Sequence, residues 1–265
     1  MATNKRLKIL NESEVSDLFQ PPTLNLNDQR FLFSLNDAER QECNKIRDRS
    51  QRCMFVVLLG YFKVKPIILN PKYHQVKNDL KFVYQNILPG AGLRPFNLDQ
   101  KTRDRLYDRI LKLMQHQRWR EQHHSKLNAH LTKEADAWIY PRHLFDSAIE
   151  FLSTNRIAIP GYTTLQELIS QVFNRVQESY MAETSRLLSD GLREKLLKLL
   201  NDKSDLQFKQ LRLPAKSFKN SELDKEVAVN TLLRDWMPEI DKVIQSLELS
   251  LQNQKHFCEF IPYYG

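Results

Sequence analysis

Four basic side chains share one face of a helix expected over residues 99 to 116. At 100° per residue, Lys101, Arg105, Arg109 and Lys112 fall within a sector of about 80°. Leucine, isoleucine and methionine side chains gather on the opposite side of the same helix. Ammonium and guanidinium groups bind phosphate oxygens, so the pattern predicts a helix with a dry face and a phosphate-binding face. A solvated basic face without a partner is the alternative interpretation.

Further arginines adjoin this basic stripe. Arg103 lies within the same helix, and Arg118 and Arg120 follow it on either side of Trp119. We include the three arginines among the candidate DNA-binding residues. The indole is expected to be a packing anchor, with base stacking as the less favoured role.

A first helix-turn-helix unit is predicted over residues 36 to 62. Asn36 with Glu39 approximates a capping box at its start. A short polar break separates a helix over about 37–48 from one over about 50–61, and Arg47, Arg49 and Arg52 lie at that turn. In such units the start of the second helix reads base edges.

A second helix-turn-helix unit is predicted over residues 141 to 180. Here Thr163, Thr164 and Gln166 would occupy the reading position, with Arg156 before them. Thr163 with Gln166, or Thr164 with Glu167, forms a capping-box pattern after Pro-Gly. The apolar positions of the helix that follows are expected to pack in the core.

The positive charge is concentrated in the first half of the chain. The net charge of +8 divides into +10 over residues 1–130 and −2 over residues 131–265, and residues 41–120 alone carry +11. Such polarity is typical of a surface that binds a polyanion. It therefore favours a nucleic-acid partner for the first half.

No catalytic or metal-binding arrangement stands out. The clustered histidines His116, His123, His124 and His130 lack the i, i+4 spacing of a helical zinc site. No serine or cysteine lies in an activating motif, and the acidic residues alternate with basic ones. We expect no catalytic residue, no metal and no cofactor in this chain.

Composition predicts an all-α fold. Six glycines in 265 residues are too few for glycine-rich phosphate loops or for many tight turns. The longest apolar run, at 53–62, is about half as long as a membrane span, and three unpaired cysteines fit a reducing cytoplasm. The predicted organisation is a flexible arm over 1–27, a basic helical subdomain over 28–130 and a second helical subdomain over 131–265.

Several segments, in order and spacing, resemble the N-terminal region of transposases of the Tn-three family (TnpA type). They include FSLNDAERQECNKIRDRSQRCMFVVLLGYFKV, TRDRLYDRILKLM and RIAIPGYTTLQELI, of which the first, with its arginine-rich turn, and the last are the most specific. The likeness covers roughly residues 30 to 265. It matches only loosely over 73–96 and has few distinctive positions over 117–140.

The resemblance implies consecutive helical subdomains that recognise the terminal inverted repeats of a transposon. In that family, DNA cleavage and joining belong to an Asp-Asp-Glu, magnesium-dependent domain far downstream, which nothing in this chain matches. The sequence ends in FIPYYG, and we expect a fragment of a longer cytoplasmic, nucleoid-associated protein.

The leading hypothesis is sequence-specific binding of double-stranded DNA, with possible self-association in a transposase dimer. The alternative is an α-helical dimerisation or interaction module in which the leucine-rich helices after Leu187 bind another chain. Both hypotheses expect a chain without activity of its own.

Overall fold

The described part of the chain is all-α, as its composition predicts. A computed structural model describes residues 6–89, 99–194, 234 and 238–254. Within these ranges there is no strand, only two isolated parallel bridges, Ile67 with Ile159 and Gln117 with Ile157. The helices with defined bounds are α1 Glu12–Phe19, α2 Leu26–Leu32, α3 Asp37–Asn44, α4 Arg49–Val64, α5 Tyr73–Asn86, α6 Gln100–Leu113, α7 Glu121–Ala137, α8 Pro141–Thr154 and α9 Tyr162–Leu187.

The chain divides into two compact units, one formed by Met1–Ala135 with Ile139–Phe173 and the other by Asp136–Trp138 with Asn174–Gly265. The sequence instead predicts a boundary between residues 130 and 131. The structure differs because α7 runs without a break through that point. The α8 residues Leu144 and Leu152 are also fully buried, so α8 belongs to the first unit.

Helix α4 is the centre of the first unit. All ten residues from Cys53 to Phe62 are buried, and α2, α3, α5 and α6 pack around this helix. A helix that is apolar on every side must be enclosed by other elements. The described residues contain no helix that is both long enough and apolar enough to span a bilayer.

A buried carboxylate joins three of these helices. Asp79 of α5 accepts a hydrogen bond from Gln29 Nε2 of α2 at 2.6 Å and another from the Tyr61 hydroxyl of α4. Burial, together with the bond to Asp79, raises the pKa of Tyr61 far above its ordinary value. Because each carboxylate oxygen accepts a hydrogen bond, the network holds α2, α4 and α5 together without leaving a buried oxygen of Asp79 unsatisfied.

Residues 6–27 belong to the segment predicted as a flexible arm, and the structure shows helices within it. They contain α1 and the start of α2, and each helix begins with a capping box, Asn11 with Glu14 and Asn25 with Asp28. Leu10 is buried in the same unit. The Asn-x-x-acid spacing that correctly identified the Asn36 and Glu39 box of α3 is repeated at both of these positions.

Gly60 provides a test of how closely α4 is packed. A Cβ atom there would lie 2.6 Å from Phe33 Cδ1 and 3.2 Å from the Leu32 carbonyl oxygen, whereas one at Gly161 would meet nothing within 4 Å. Gly60→Ala is expected to lower the free energy of unfolding by about 1–3 kcal/mol through overpacking. Urea denaturation measures the change. Gly161→Ala is the matched control and should remain close to wild type, and equal stabilities of the two variants would contradict the packing described for α4.

Candidate nucleic-acid interface

Helix α6 carries the predicted basic stripe. It begins after Asp99, whose carboxylate accepts hydrogen bonds from the backbone N–H of Thr102 at 2.6 Å and from its hydroxyl at 3.1 Å. These two bonds lower the pKa of Asp99, so the capping group stays ionised. Gln115, with φ 54°, adopts the left-handed conformation shortly after the helix ends.

The two faces of α6 differ as the sequence predicts. Leu106 and Ile110 are buried, and Tyr107 is buried with its hydroxyl accepting the Leu69 N–H at 2.8 Å. Lys101 and Lys112 are exposed, and their side chains form no hydrogen bond or ion pair within the described residues. The pattern of 3.6 residues per turn therefore correctly separates the core-facing side chains from the water-facing ones.

The three arginines of α6 make more side-chain contacts than its two lysines do. Arg105 is exposed and makes only long local contacts, at 3.4 Å to the Lys101 carbonyl and 3.4 Å to the Thr102 hydroxyl. Arg109 donates from Nη1 to Glu42 of α3 at 3.2 Å, and Arg103 bonds Gln100 within its own helix. The exposed stripe therefore consists of Lys101, Arg105 and Lys112. Arg109 is partly engaged by its ion pair with Glu42.

Arg118 is a structural clamp on α6. Its Nη1 lies 3.1 Å from Asp104 Oδ1 and its Nη2 lies 3.0 Å from Asp108 Oδ1, and Nη2 also donates to the Asp104 carbonyl at 3.1 Å. A hydrogen bond from Gln100, followed by the contacts with Arg118, lowers the pKa of Asp104. Both carboxylates neutralise this guanidinium, so Arg118 is a poor candidate for a phosphate contact.

The start of α7 is fixed by a buried histidine. His123 Nδ1 accepts the Arg120 backbone N–H at 3.2 Å, which leaves Nε2 to donate to Gln117 Oε1 at 3.1 Å. Burial lowers the pKa of His123, and the positive charges of Lys126 and Arg120 lower it further. The lowered pKa favours the neutral form of the imidazole, and the Arg120 side chain beside it is exposed. The Trp119 ring packs against His123, at 6.2 Å between centroids.

The first predicted helix-turn-helix unit contains two helices and a turn, but two of its three arginines are not exposed. The turn lies at 45–48, between α3 and α4. Arg49 donates to the Leu88 carbonyl at 2.5 Å and stacks 4.6 Å over the Tyr84 ring, and Arg52 buries an unpaired Nε atom. Of the three arginines only Arg47 is exposed and without a side-chain partner in the described residues.

Helix α4 has no exposed face between Cys53 and Phe62. A recognition helix must place an exposed face in the major groove, whereas α4 is enclosed from Cys53 to Phe62. The apolar run that follows the arginines is the core of the unit, so any base contact in this region is limited to residues at or before the first turn of α4.

The second predicted unit begins its helix at Tyr162, so Thr163 and Thr164 lie inside the first turn instead of capping it. The Thr164 and Leu165 N–H groups bond the Gly161 carbonyl. Thr163 is exposed and Thr164 is half-buried. Of the predicted reading residues, Thr163 remains open to solvent at the start of α9.

The side chain of Gln166 is hydrogen-bonded to another part of the same chain. Its Nε2 donates to the Leu7 carbonyl at 2.8 Å, and the Leu7 N–H donates to the buried Ser170 hydroxyl at 3.0 Å. Arg6 forms an ion pair with Glu167, and the Leu10 N–H donates to the Tyr162 hydroxyl at 3.2 Å. Residues 6–10 thus cover one side of the first three turns of α9, and Gln166 is not free to contact a base in this structure.

Arg156 organises the connection between α8 and α9. It adopts a left-handed backbone with φ 51°, and its Nη1 donates to Gln115 Oε1 at 2.9 Å. Its carbonyl accepts the Gln117 N–H at 2.7 Å, and Ala158 N–H donates to the Gln117 carbonyl at 2.8 Å. Arg156 is exposed but helps to hold two loops together, one after α6 and one after α8.

Sequence reasoning missed the elements that hold these residues in place. Helix α7 was not predicted, although Leu127, Leu131 and Ala135 recur at i, i+4 spacing and are all buried. The leucine-rich segments after Leu187 lie partly outside the described residues, since 195–233 and 235–237 are not among them. Among the described residues, no three histidine, cysteine, aspartate or glutamate side chains converge as metal ligands.

His123 makes the stability of the first unit depend on pH. Because its pKa is lower in the folded state, the unfolded chain binds more protons between that pKa and the ordinary value of about 6.5. The free energy of unfolding is therefore expected to fall as the pH is lowered from 7 to 5.

His123→Gln should flatten this dependence, since glutamine has no proton to take up, and chemical denaturation at a series of pH values measures it. His74→Gln, at an exposed histidine of α5, is the control and should retain the wild-type slope. An unchanged slope in His123→Gln would show that the buried histidine is not the group responsible.

Comparison with known proteins found no significant match among curated proteins or among solved structures. A family model does match, over residues 9–172, which include α1 to α8, the start of α9 and every candidate contact residue named above. The match covers more than half of the chain, and the protein belongs to the family described as domain of unknown function DUF4158.

Proposed function

We propose that this chain is a DNA-binding region, without catalytic activity or cofactor of its own, that binds the terminal inverted repeats of a transposon as the N-terminal part of a Tn-three-like transposase. The observation that carries the proposal is the exposed cationic stripe of α6. The segments that resemble those transposases support the more specific assignment to a Tn-three-like transposase. Many of these segments lie within the family match. A cytoplasmic, nucleoid-associated location follows from the same proposal.

The dimensions of the stripe suit a duplex backbone. Lys101 and Lys112 are 11 positions apart, which is about 16 Å along a helix. Double-stranded DNA carries a negative charge for each ~1.7 Å of its axis, so cations spaced along this distance can contact several phosphates. Arg105 lies between the two lysines and keeps its guanidinium exposed.

The buried face of α6 supports the same role. Leu106, Tyr107 and Ile110 are fixed in the core, so the stripe is presented on a rigid element. Preorganised cations bind with a smaller entropic cost than those on flexible loops. The stripe therefore supports sequence-independent affinity, because phosphate contacts position a protein on DNA without reading its bases.

Base reading requires other residues, and the start of α9 is the best candidate. Thr163 is exposed there, and Arg156 precedes it in the same segment that resembles the transposase pattern. Arg47, before α4, is a second exposed candidate. These residues are proposed to supply sequence preference, whereas the stripe supplies affinity.

A second candidate function is an interaction module for another protein chain. It is favoured by exposed apolar side chains of the second unit, among them Met181 at 61% exposure and Leu251 at 76%. Exposed apolar surface is typical of docking sites. A dimer detected by light scattering that persists at high salt, in a protein without affinity for duplex, would favour this function over the first.

Removing charge from the stripe tests the leading proposal. Lys101→Gln combined with Arg105→Gln is expected to weaken binding to any duplex and to reduce the slope of log affinity against log salt by about 1.8, close to 0.9 for each lost phosphate contact. Fluorescence anisotropy with labelled duplex at several salt concentrations measures both quantities.

Lys77→Gln is the matched control, since Lys77 is an exposed lysine on α5. It should lower the affinity and the slope much less than the double variant. A double variant with the wild-type slope would place the DNA contacts away from α6.

Sequence preference is tested with the terminal repeat of the parent element against a scrambled duplex of equal length. Wild type is expected to prefer the repeat, and Thr163→Ala should reduce that preference several-fold while leaving binding to the scrambled duplex unchanged. Equal affinity of the wild-type protein for both duplexes would overturn the claim of specificity and leave only general DNA binding.

A further inference from the structure

A cavity of about 360 Å³ lies where the last turn of α6 meets the beginning of α7. The charged and imidazole side chains that line it are Asp108, Lys112, His116, Arg118, Arg120 and His123. Binding sites for small ligands have volumes of about 300–1,000 Å³. The cavity is therefore large enough for a small polar ligand, and its lining is predominantly cationic.

Two of its positive charges have no counter-charge in the part of the chain that the structure describes. Arg118 is neutralised by Asp104 and Asp108. The side chains of Lys112 and Arg120 form neither an ion pair nor a hydrogen bond within the described residues. Because Asp108 already binds Arg118 at 3.0 Å, the cavity keeps an excess of positive charge.

The walls of the cavity are held in place by hydrogen bonds of their own. His116 Nδ1 contacts the Met114 carbonyl at 2.8 Å, and its ring packs edge-on against Phe62 at 5.2 Å. His123 bonds the Arg120 N–H and the Gln117 amide. Lys112 in the last turn of α6 and Arg120 just before α7 therefore both line the cavity from backbone that is held in place, an arrangement that favours binding of a compact anion.

We propose that this cavity binds one phosphate group between Lys112 and Arg120. The phosphate belongs either to the backbone of bound duplex or to a free phosphate compound. The first source rests on the proposed DNA binding and deepens it, because Lys112 belongs both to the basic stripe and to the cavity. In that case the cavity anchors the duplex at the C-terminal end of α6.

Trp119 gives the experiment an intrinsic reporter, since its ring lies 6.2 Å from that of His123 in the cavity wall. Inorganic phosphate is titrated into the full chain at constant ionic strength, with chloride replaced step by step. A saturable change in tryptophan emission is expected in wild type and is expected to disappear in Trp119→Phe, which identifies the reporting residue.

Lys112→Gln combined with Arg120→Gln should weaken the phosphate response by at least about tenfold, because two charge-assisted contacts are lost. Lys77→Gln combined with Lys81→Gln removes equal charge from exposed positions of α5, outside both the cavity and the stripe, and should retain the wild-type response. Absence of a saturable response in wild type, or an equal response in the cavity variant, overturns the proposal. Thermal unfolding of each variant without phosphate confirms that the fold is retained.

A second arm adds duplex DNA to the phosphate-saturated protein. Displacement of phosphate by duplex, together with weaker duplex binding by Arg120→Gln, identifies the backbone as the source. Duplex binding that is unaffected by Arg120→Gln, with a phosphate response that still depends on the cavity, identifies a free phosphate compound. If no duplex binds at all, the proposed function is wrong. The phosphate titration still tests, independently, whether the cavity binds phosphate.

Discussion

The enclosure of α4 is the constraint on which the first unit depends. Ten consecutive residues, Cys53 to Phe62, must be kept from water on every side, and no single neighbouring helix can do this. Helices α2, α3, α5 and α6 all pack against α4. Each of them therefore has one face toward α4 and another that is available to solvent or to a partner. The exposed stripe of α6 is a direct consequence of this arrangement.

The same enclosure changes the role of the basic residues. A count of arginines and lysines describes residues 41–120 as strongly basic, but several of these cations are already engaged. Arg49 binds a backbone carbonyl, Arg109 an acidic side chain of α3, and Arg118 two acidic side chains of α6. The surface available to a polyanion is narrower than the net charge implies. Its exposed cations lie on α6 and at the beginning of α7, and also on α5 at Lys77.

Local patterns identified much of the fold and some of the site. The capping box at Asn36 and Glu39 and the two faces of α6 follow from contacts within four residues, and the structure shows both. The ion pairs of Arg118 and the bond from Gln166 to Leu7 could not be found in this way. The partners of Gln166 and Leu7 are separated by 159 positions, and only the folded chain determines that they meet. Exposure of a basic side chain depends on such distant partners, so the list of contact residues is less predictable than the helices.

The attachment of residues 6–10 to α9 also bears on how the first unit assembles. The Leu7 N–H and the Ser170 hydroxyl meet across 163 positions, and closing a loop of that length costs conformational entropy that local helix formation does not repay. Helices α3 to α6 contact helices that are close to them in sequence. The contact between residues 6–10 and α9 instead joins the two ends of the first unit. During synthesis on the ribosome, residues 6–10 are therefore made long before α9. They can bind that helix, and complete the first unit, only after α9 has left the ribosome.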